Sequence, residues 1–208
     1  MKQTAREILI LTCEHASNKL PAAFRSAVPT EVLKTHRAYD IGALAVFRKL
    51  VKFAKPEFYC EGKFSRLFVD LNRTITNKSA FSDYLRNDEK AKAQATIYWT
   101  EYRTAIEKFV KATPKKEIIH LGIHSSTPEL NGIVRNTDIG ILYDPSRPKE
   151  CELAQVIKAE IKRLHPEMKV RFNYPYKGTS DGLTTTLRKK IGPRYAGLEI
   201  EINQKFFK

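Results

Sequence analysis

Long apolar runs are missing from this 208-residue sequence. None approaches the ~20 residues a membrane-spanning helix requires, which argues against an integral membrane protein. Near the N-terminus only Ile8–Leu11 is apolar behind Lys2 and Arg6. That stretch is too short for the apolar region of a secretory leader and lacks a small-residue cleavage site, so a cytoplasmic location is expected. Cysteine is scarce as well. Cys13, Cys60 and Cys151 form an odd, widely spaced set without a CxxC pair, which argues against a disulfide framework and against a zinc-finger arrangement. Cys13 reads as a small strand-end residue rather than a nucleophile. Acidic residues are in deficit: 23 Asp and Glu against 37 Lys and Arg give a formal charge of +14. Such a charge attracts anions, whether nucleic acid, membrane surface or carboxylate substrate, without choosing among them. Repeats, low-complexity tracts and linkers are absent too. Residues 1–208 therefore read as one domain, a size that a single core supports.

What is present alternates between strand and helix. Glu7–Thr12, Glu57–Cys60, Arg66–Leu71, Glu117–Ile123, Ile139–Tyr143, Lys169–Phe172 and Gly197–Ile202 are short apolar runs with strand character. Leu44, Phe47, Leu50 and Val51 recur at helical spacing and predict a helix over Asp40–Ala54 with Asp40 as its N-cap. Glu89–Ala112 is predicted as a long helix with Ala95, Tyr98, Tyr102, Ala105 and Phe109 on one stripe, and Pro114 follows its end. Glu150–Leu164 is predicted as another, with Leu153, Val156, Ile157 and Ile161 inward. This alternation implies an α/β fold: a three-layer sandwich around a mostly parallel, mixed sheet. The basic segments Arg48–Lys55, Lys108–Lys116 and Lys158–Lys169 fall mostly on the solvent faces of these helices.

In open α/β sheets ligands bind beyond the carboxyl ends of the strands. Cys13-Glu14-His15 follows the first strand, Asn72-Arg73 follows Asp70-Leu71, and His124-Ser125-Ser126 follows Ile123. Glu199 and Glu201 share one face of the last strand, with Leu198, Ile200 and Ile202 on the other. Two histidines, two carboxylates and an arginine thus meet at one predicted edge, the parts of a metallohydrolase. His15 and His124 are candidate zinc ligands. One glutamate is the candidate general base, or else a salt-bridge partner of Arg66 or Arg194. Arg73 suits bidentate capture of a carboxylate, or pairs with Asp70 across a turn. His120 is expected to be a buried, hydrogen-bonded residue inside its strand, and His36 and His165 carry no role.

The segments CEHASNKLP (Cys13–Pro21), HRAYDIGA (His36–Ala43), SRLFVDLNR (Ser65–Arg73), HSSTP (His124–Pro128), IGILYD (Ile139–Asp144), NYPYKG (Asn173–Gly178) and GLEIEINQ (Gly197–Gln204) resemble, in order, those of the N-formylglutamate amidohydrolase family. That family is similar in fold to the zinc carboxypeptidases, a zinc-exopeptidase or phosphorylase/hydrolase-like architecture. The resemblance implies one zinc ion per chain, held by His15, His124 and a third ligand from Asp40 or Asn18. Asn18 stands where an HxxE motif carries its glutamate. The resemblance further implies Glu201 as general base and Arg66 as oxyanion partner. On the same reading Asn72, Arg73 and Tyr176 are expected to bind the substrate, with Tyr174-Pro175-Tyr176 and the Gly178–Gly182 loop placed to close over it. The expected substrate is a small N-acyl amino acid, N-formylglutamate being one. Two rivals remain at this point: a basic nucleic-acid-binding domain, which predicts salt-sensitive binding by one contiguous lysine-rich surface, and a non-catalytic ligand-binding member of the same fold. No specific nucleic-acid or membrane partner is expected.

Overall fold

A computed structural model describes residues 7–114 and 116–207. Lys2, Arg6 and Lys115 lie outside the described residues. Strands β1 (Glu7–Cys13), β2 (Phe58–Glu61), β3 (Glu117–Ser126), β6 (Ile139–Leu142), β7 (Val170–Phe172) and β8 (Tyr195–Asn203) form one six-stranded sheet. Its order is β2-β1-β3-β8-β6-β7, and every neighbouring pair is parallel except β6 with β8. A two-stranded hairpin, β4 (Glu129–Leu130) and β5 (Ile133–Val134), projects beyond β3. Asn131 and Gly132 at its turn both have positive φ, the backbone a two-residue hairpin turn requires. Helices α1 (Thr30–Leu33), α2 (Ala43–Ala54), α3 (Glu89–Ala112), α4 (Pro148–Leu164) and α5 (Leu183–Ile191) complete the fold. None of the described helices is long and apolar enough to cross a membrane.

Strand alternation splits the core into two layers. Ile8, Ile10 and Ile118 pack with Ala95 and Ile106 of α3 and with Leu183 and Leu187 of α5. On the opposite face, Leu11, Cys13 and Ile123 meet Ala43 and Phe47 of α2, while Ile141 and Leu198 meet Ala154 of α4. Apolar residues on both faces are what a parallel sheet covered by helices needs. The predicted three-layer α/β sandwich is the architecture found.

Several predicted elements differ from the structure. Arg66–Leu71 is not a strand but a series of turns. Its backbone N–H groups go to Ala38 O (Arg66), Ser65 O (Phe68) and Ala80 O (Asp70), not to a ladder. Its apolar side chains are buried because α3 and α5 close over them. Asp40 does not cap α2; Gly42 does so in a left-handed conformation, leaving the Asp40 side chain free to turn inward. β3 runs on to Ser126, so His124 lies inside the strand rather than after it. On α4, Val156 faces solvent, and the fully buried positions are Glu150 and Ala154. The long helix α3 has the predicted bounds; Asp88 caps it by accepting from Ala91 N, and Ile106 rather than the exposed Ala105 continues its buried stripe.

Buried Glu150 ties α4 to the site-bearing strand. One carboxylate oxygen accepts from Arg188 Nε (2.8 Å) and Gly197 N (3.1 Å), the other from Asp144 N (2.8 Å). Arg188 in turn donates to the carbonyls of Gly178 and Gly197. Removing one partner of such a pair strands the other charge in the interior. Glu150→Ala is therefore expected to destabilise the fold by about 3–5 kcal/mol in a denaturant titration.

Candidate active site

Parallel pairing puts the C-terminal ends of β1, β3 and β8 side by side, and register makes His124 and Glu201 Cα partners. The turn after β1 carries Glu14 and His15. A backbone bond from Asp40 N to His15 O, 2.9 Å, draws the segment before α2 over that turn. Asp40 Oδ2 consequently lies 3.3 Å from His15 Nδ1, 2.9 Å from His124 Nδ1 and 3.3 Å from Ser125 N. His15, Asp40 and His124 are all buried, and their donor atoms lie within 4.8 Å of one another.

The outer nitrogens of both rings face buried carboxylates. His15 Nε2 is 2.7 Å from Asp70 Oδ1. His124 Nε2 is 3.0 Å from Glu14 Oε2, close but without the alignment of a hydrogen bond. A carboxylate behind an imidazole holds the proton on the outer nitrogen and turns the Nδ1 lone pair toward the centre. Burial alone would lower both imidazole pKa values, yet their carboxylate neighbours outweigh it and raise them, His124 strongly. Burial would lift the carboxyls of Glu14, Asp40 and Asp70, yet the facing histidines, joined at Asp70 by Arg66, hold all three down, Glu14 at about 2. The centre is built to attract positive charge, be it proton or cation. Two imidazole nitrogens and one carboxylate oxygen, each imidazole backed by a second carboxylate, fit a zinc ion.

Around the centre is a hollow of about 140 Å³ whose lining includes Arg66, Asn72, Arg73, Tyr176, Glu199 and Glu201. That is small beside the ~300–1,000 Å³ of sites for drug-sized ligands. Glu201 is buried, and its Oε2 has no hydrogen-bond partner among the described residues. Burial, reinforced by Asp40 and Glu199 against the opposing histidines, lifts its carboxyl to about 7. Glu199 is half-buried and accepts from Thr184 Oγ1 at 2.9 Å. Arg66 donates to Asp70 Oδ2 at 2.6 Å and lies 3.6 Å from Asp40 Oδ1. Neither glutamate pairs with Arg66 or Arg194; Arg194 instead caps the end of α3 by donating to the carbonyls of Val110, Thr113 and Lys116.

Arg73 does not pair with the Asp70 carboxylate. Its Nη1 donates to Asp181 O, and its own carbonyl accepts from Trp99 Nε1 and Arg103 Nη2, so α3 braces it from behind. Asn72 Oδ1 accepts from Leu183 N at the start of α5. Tyr176 stands at the mouth, its hydroxyl accepting from Arg135. Asn18 is not brought to the centre: it lines a separate surface hollow with Arg48 and Glu61. His120 is buried between Thr12 Oγ1 and Tyr195 Oη, as expected, and burial pushes the Cys13 thiol well up, away from thiolate. Glu14, and Asp70 beyond a pairing with arginine, carry one signal in the sequence: a charged residue placed against a strand end in a buried layer.

The sequence profile of the N-formylglutamate amidohydrolase family matches residues 8–207. Among solved structures, a gene product of Agrobacterium tumefaciens is 30% identical, with 98% of this chain and 83% of that one covered at a TM-score of 0.77. An N-formylglutamate amidohydrolase from Ralstonia eutropha JMP134 is 17% identical, with 97% and 84% covered at a TM-score of 0.57, a likeness of fold. No curated protein sequence matches significantly.

Proposed function

Since the chain belongs to the N-formylglutamate amidohydrolase family, enzymes that hydrolyse amide bonds, we propose that it is a zinc-dependent hydrolase of N-acyl amino acids such as N-formylglutamate. The observation that carries this reading is the convergence of His15 Nδ1, His124 Nδ1 and Asp40 Oδ2 beside a buried carboxylate, Glu201, with an unpartnered oxygen. His15, Asp40 and His124 would hold the ion, which supplies Lewis acidity to the scissile carbonyl and the hydrolytic water.

The chain's own groups do the rest. Glu201 accepts a proton from the attacking water and returns it to the leaving amine, a task suited to a carboxyl lifted toward neutrality. Arg66, fixed by Asp70, donates to the oxyanion as it develops. Arg73 and Asn72 hold the α-carboxylate, and Tyr176 partly closes the mouth. Purified protein supplied with zinc is expected to release free glutamate from N-formyl-L-glutamate, and a chelator to stop the release. If folded, zinc-replete protein hydrolyses no N-acyl amino acid, the proposal is wrong, and the non-catalytic reading takes its place.

The carboxylate contact has its own test. A charge-assisted bidentate bond contributes about 1.5–3 kcal/mol, so Arg73→Ala is expected to lower kcat/KM by roughly 10-fold to 150-fold. Arg73→Lys, which keeps the charge and loses the fork, should fall between. Wild type should reject a substrate whose α-carboxylate is an amide, and Arg73→Ala should discriminate far less. Unchanged discrimination in the folded variant moves the assignment to Arg66.

A further inference from the structure

A second hollow, of about 60 Å³, opens from the first past Asp40, Arg66, Ser125 and Tyr176, which line both. Its other walls include His36, Ser126, Thr127 and Arg135. Arg135 stands just past the β4–β5 hairpin and is buried, with 8% of its surface exposed. A buried guanidinium ordinarily has a carboxylate beside it. Arg135 has none within ion-pair distance among the described residues. Its side-chain partners are neutral: Nη1 donates to Thr127 Oγ1 (3.2 Å) and Nη2 to Tyr176 Oη (2.9 Å), with the Tyr176 ring 5.0 Å away. The other charges on this wall are already matched, Arg66 with Asp70 and Asp40 with the histidines. A second group also lacks a partner. The hydroxyl of Ser126 is buried and makes no hydrogen bond among the described residues.

One unmatched cation and one unused hydroxyl face the same small space next to the catalytic centre. We propose that this hollow is a second anion subsite, in which Arg135 and Ser126 bind a carboxylate that the substrate carries in addition to its α-carboxylate. The inference rests on the amidohydrolase reading and adds to it the residues, Arg135 and Ser126, that would read a second carboxylate such as the one N-formylglutamate carries on its side chain. The hollow's size suits one terminal carboxylate, and its few direct donors suit a planar anion rather than an apolar chain. Asn72 and Arg73 do not line it, so the two carboxylates bind apart, with the Asp40–Arg66 wall between them. On an N-acyl amino acid the second carboxylate sits either on the amino acid's side chain or at the far end of the acyl group.

Two matched pairs separate these sources: N-formyl-L-glutamate against N-formyl-L-glutamine, and N-succinyl-L-alanine against its terminal amide. Each preference is read as kcat/KM where the compound is turned over, and as a calorimetric Kd where it is not. Wild type is expected to prefer the acid over the amide by roughly 10-fold to 150-fold in one pair, which identifies the source. Arg135→Gln should bring that ratio close to one while leaving the amide member within a few-fold of wild type. Ser126→Ala, which removes no bond within the protein, should lower the ratio several-fold with the melting temperature unchanged. An absent preference in both pairs overturns the subsite, as does a preference that survives Arg135→Gln. An equal loss on acid and amide also overturns it, making Arg135 a brace for Tyr176. Hydrolysis failing in every compound while a carboxylate preference persists in binding overturns the amidohydrolase reading and leaves the subsite standing.

Discussion

Replacing Glu201 by glutamine is expected to leave a folded, zinc-loaded protein whose kcat is lower by about 10²–10⁴, the usual size of a general-base contribution. The substitution keeps the volume of a buried side chain and removes only its basicity. Two observations separate Glu201 from Glu199, its neighbour on the same face of β8. Glu201 lies beside His124 in the register and keeps one oxygen without a partner. Glu199 lies one pleat repeat further back, beside Gly122, and is engaged by Thr184. Glu199→Gln should therefore have the smaller effect, and a reversal of the two would move the base to Glu199. The pH profile is a second readout. A general base works when ionised, so kcat/KM rises with pH through the ionisation of Glu201. Burial sets that carboxyl at about 7, and a bound divalent cation stabilises its anion and draws the midpoint lower. The acid limb is expected in wild type and absent in the glutamine variant.

Alanine in place of His15, Asp40 or His124 is expected to abolish most zinc binding and, with it, hydrolysis. At the proposed zinc site each substitution removes one of three protein donors. The carboxylates behind the rings should matter less but measurably: Glu14→Gln and Asp70→Asn are expected to weaken zinc affinity by about 10–100-fold, because they free the imidazoles to turn and to change tautomer. Asp70→Asn also releases Arg66, so its effect on turnover should exceed its effect on zinc. Competition titration with a chromophoric chelator separates the two. Zinc affinity unchanged in the Asp40 variant would return the third-ligand position to another residue.

The sheet was readable because its strands are buried on both sides and carry near-continuous apolar runs, as in Glu7–Cys13 and Glu117–Ser126. Helix α5 was not. LTTTLRKKI buries only two apolar side chains, Leu183 and Leu187, beside Thr184 and Arg188, and Gly182 ahead of it offers no side chain as a cap. Arg66–Leu71 misled for the opposite reason: it is as apolar as a strand, but its polar backbone groups are met by turns and by Ala38 and Ala80. At the centre, His15, His124 and Glu201 were legible from their places at strand ends. Asp40 was ambiguous, since a residue ahead of an amphipathic run reads equally as a cap and as a ligand; Gly42, by taking the cap position, removes the cap reading. Asn18 was a candidate by its spacing from His15, and spacing counts only on regular structure. Beyond β1 the chain leaves the strand, and the side chain is carried to a different surface. The environment of Arg135 was invisible in the sequence, because it depends on which carboxylates fail to reach it.

The central claim is a metal-dependent hydrolytic centre made by His15, Asp40 and His124, and elemental analysis of the purified protein alongside its His124→Ala variant, with amide hydrolysis assayed on the same samples, tests it most directly. About one zinc per wild-type chain is predicted, with both metal and activity lost from the folded variant. Full metal content in the variant, or undiminished hydrolysis by protein freed of metal, would contradict it.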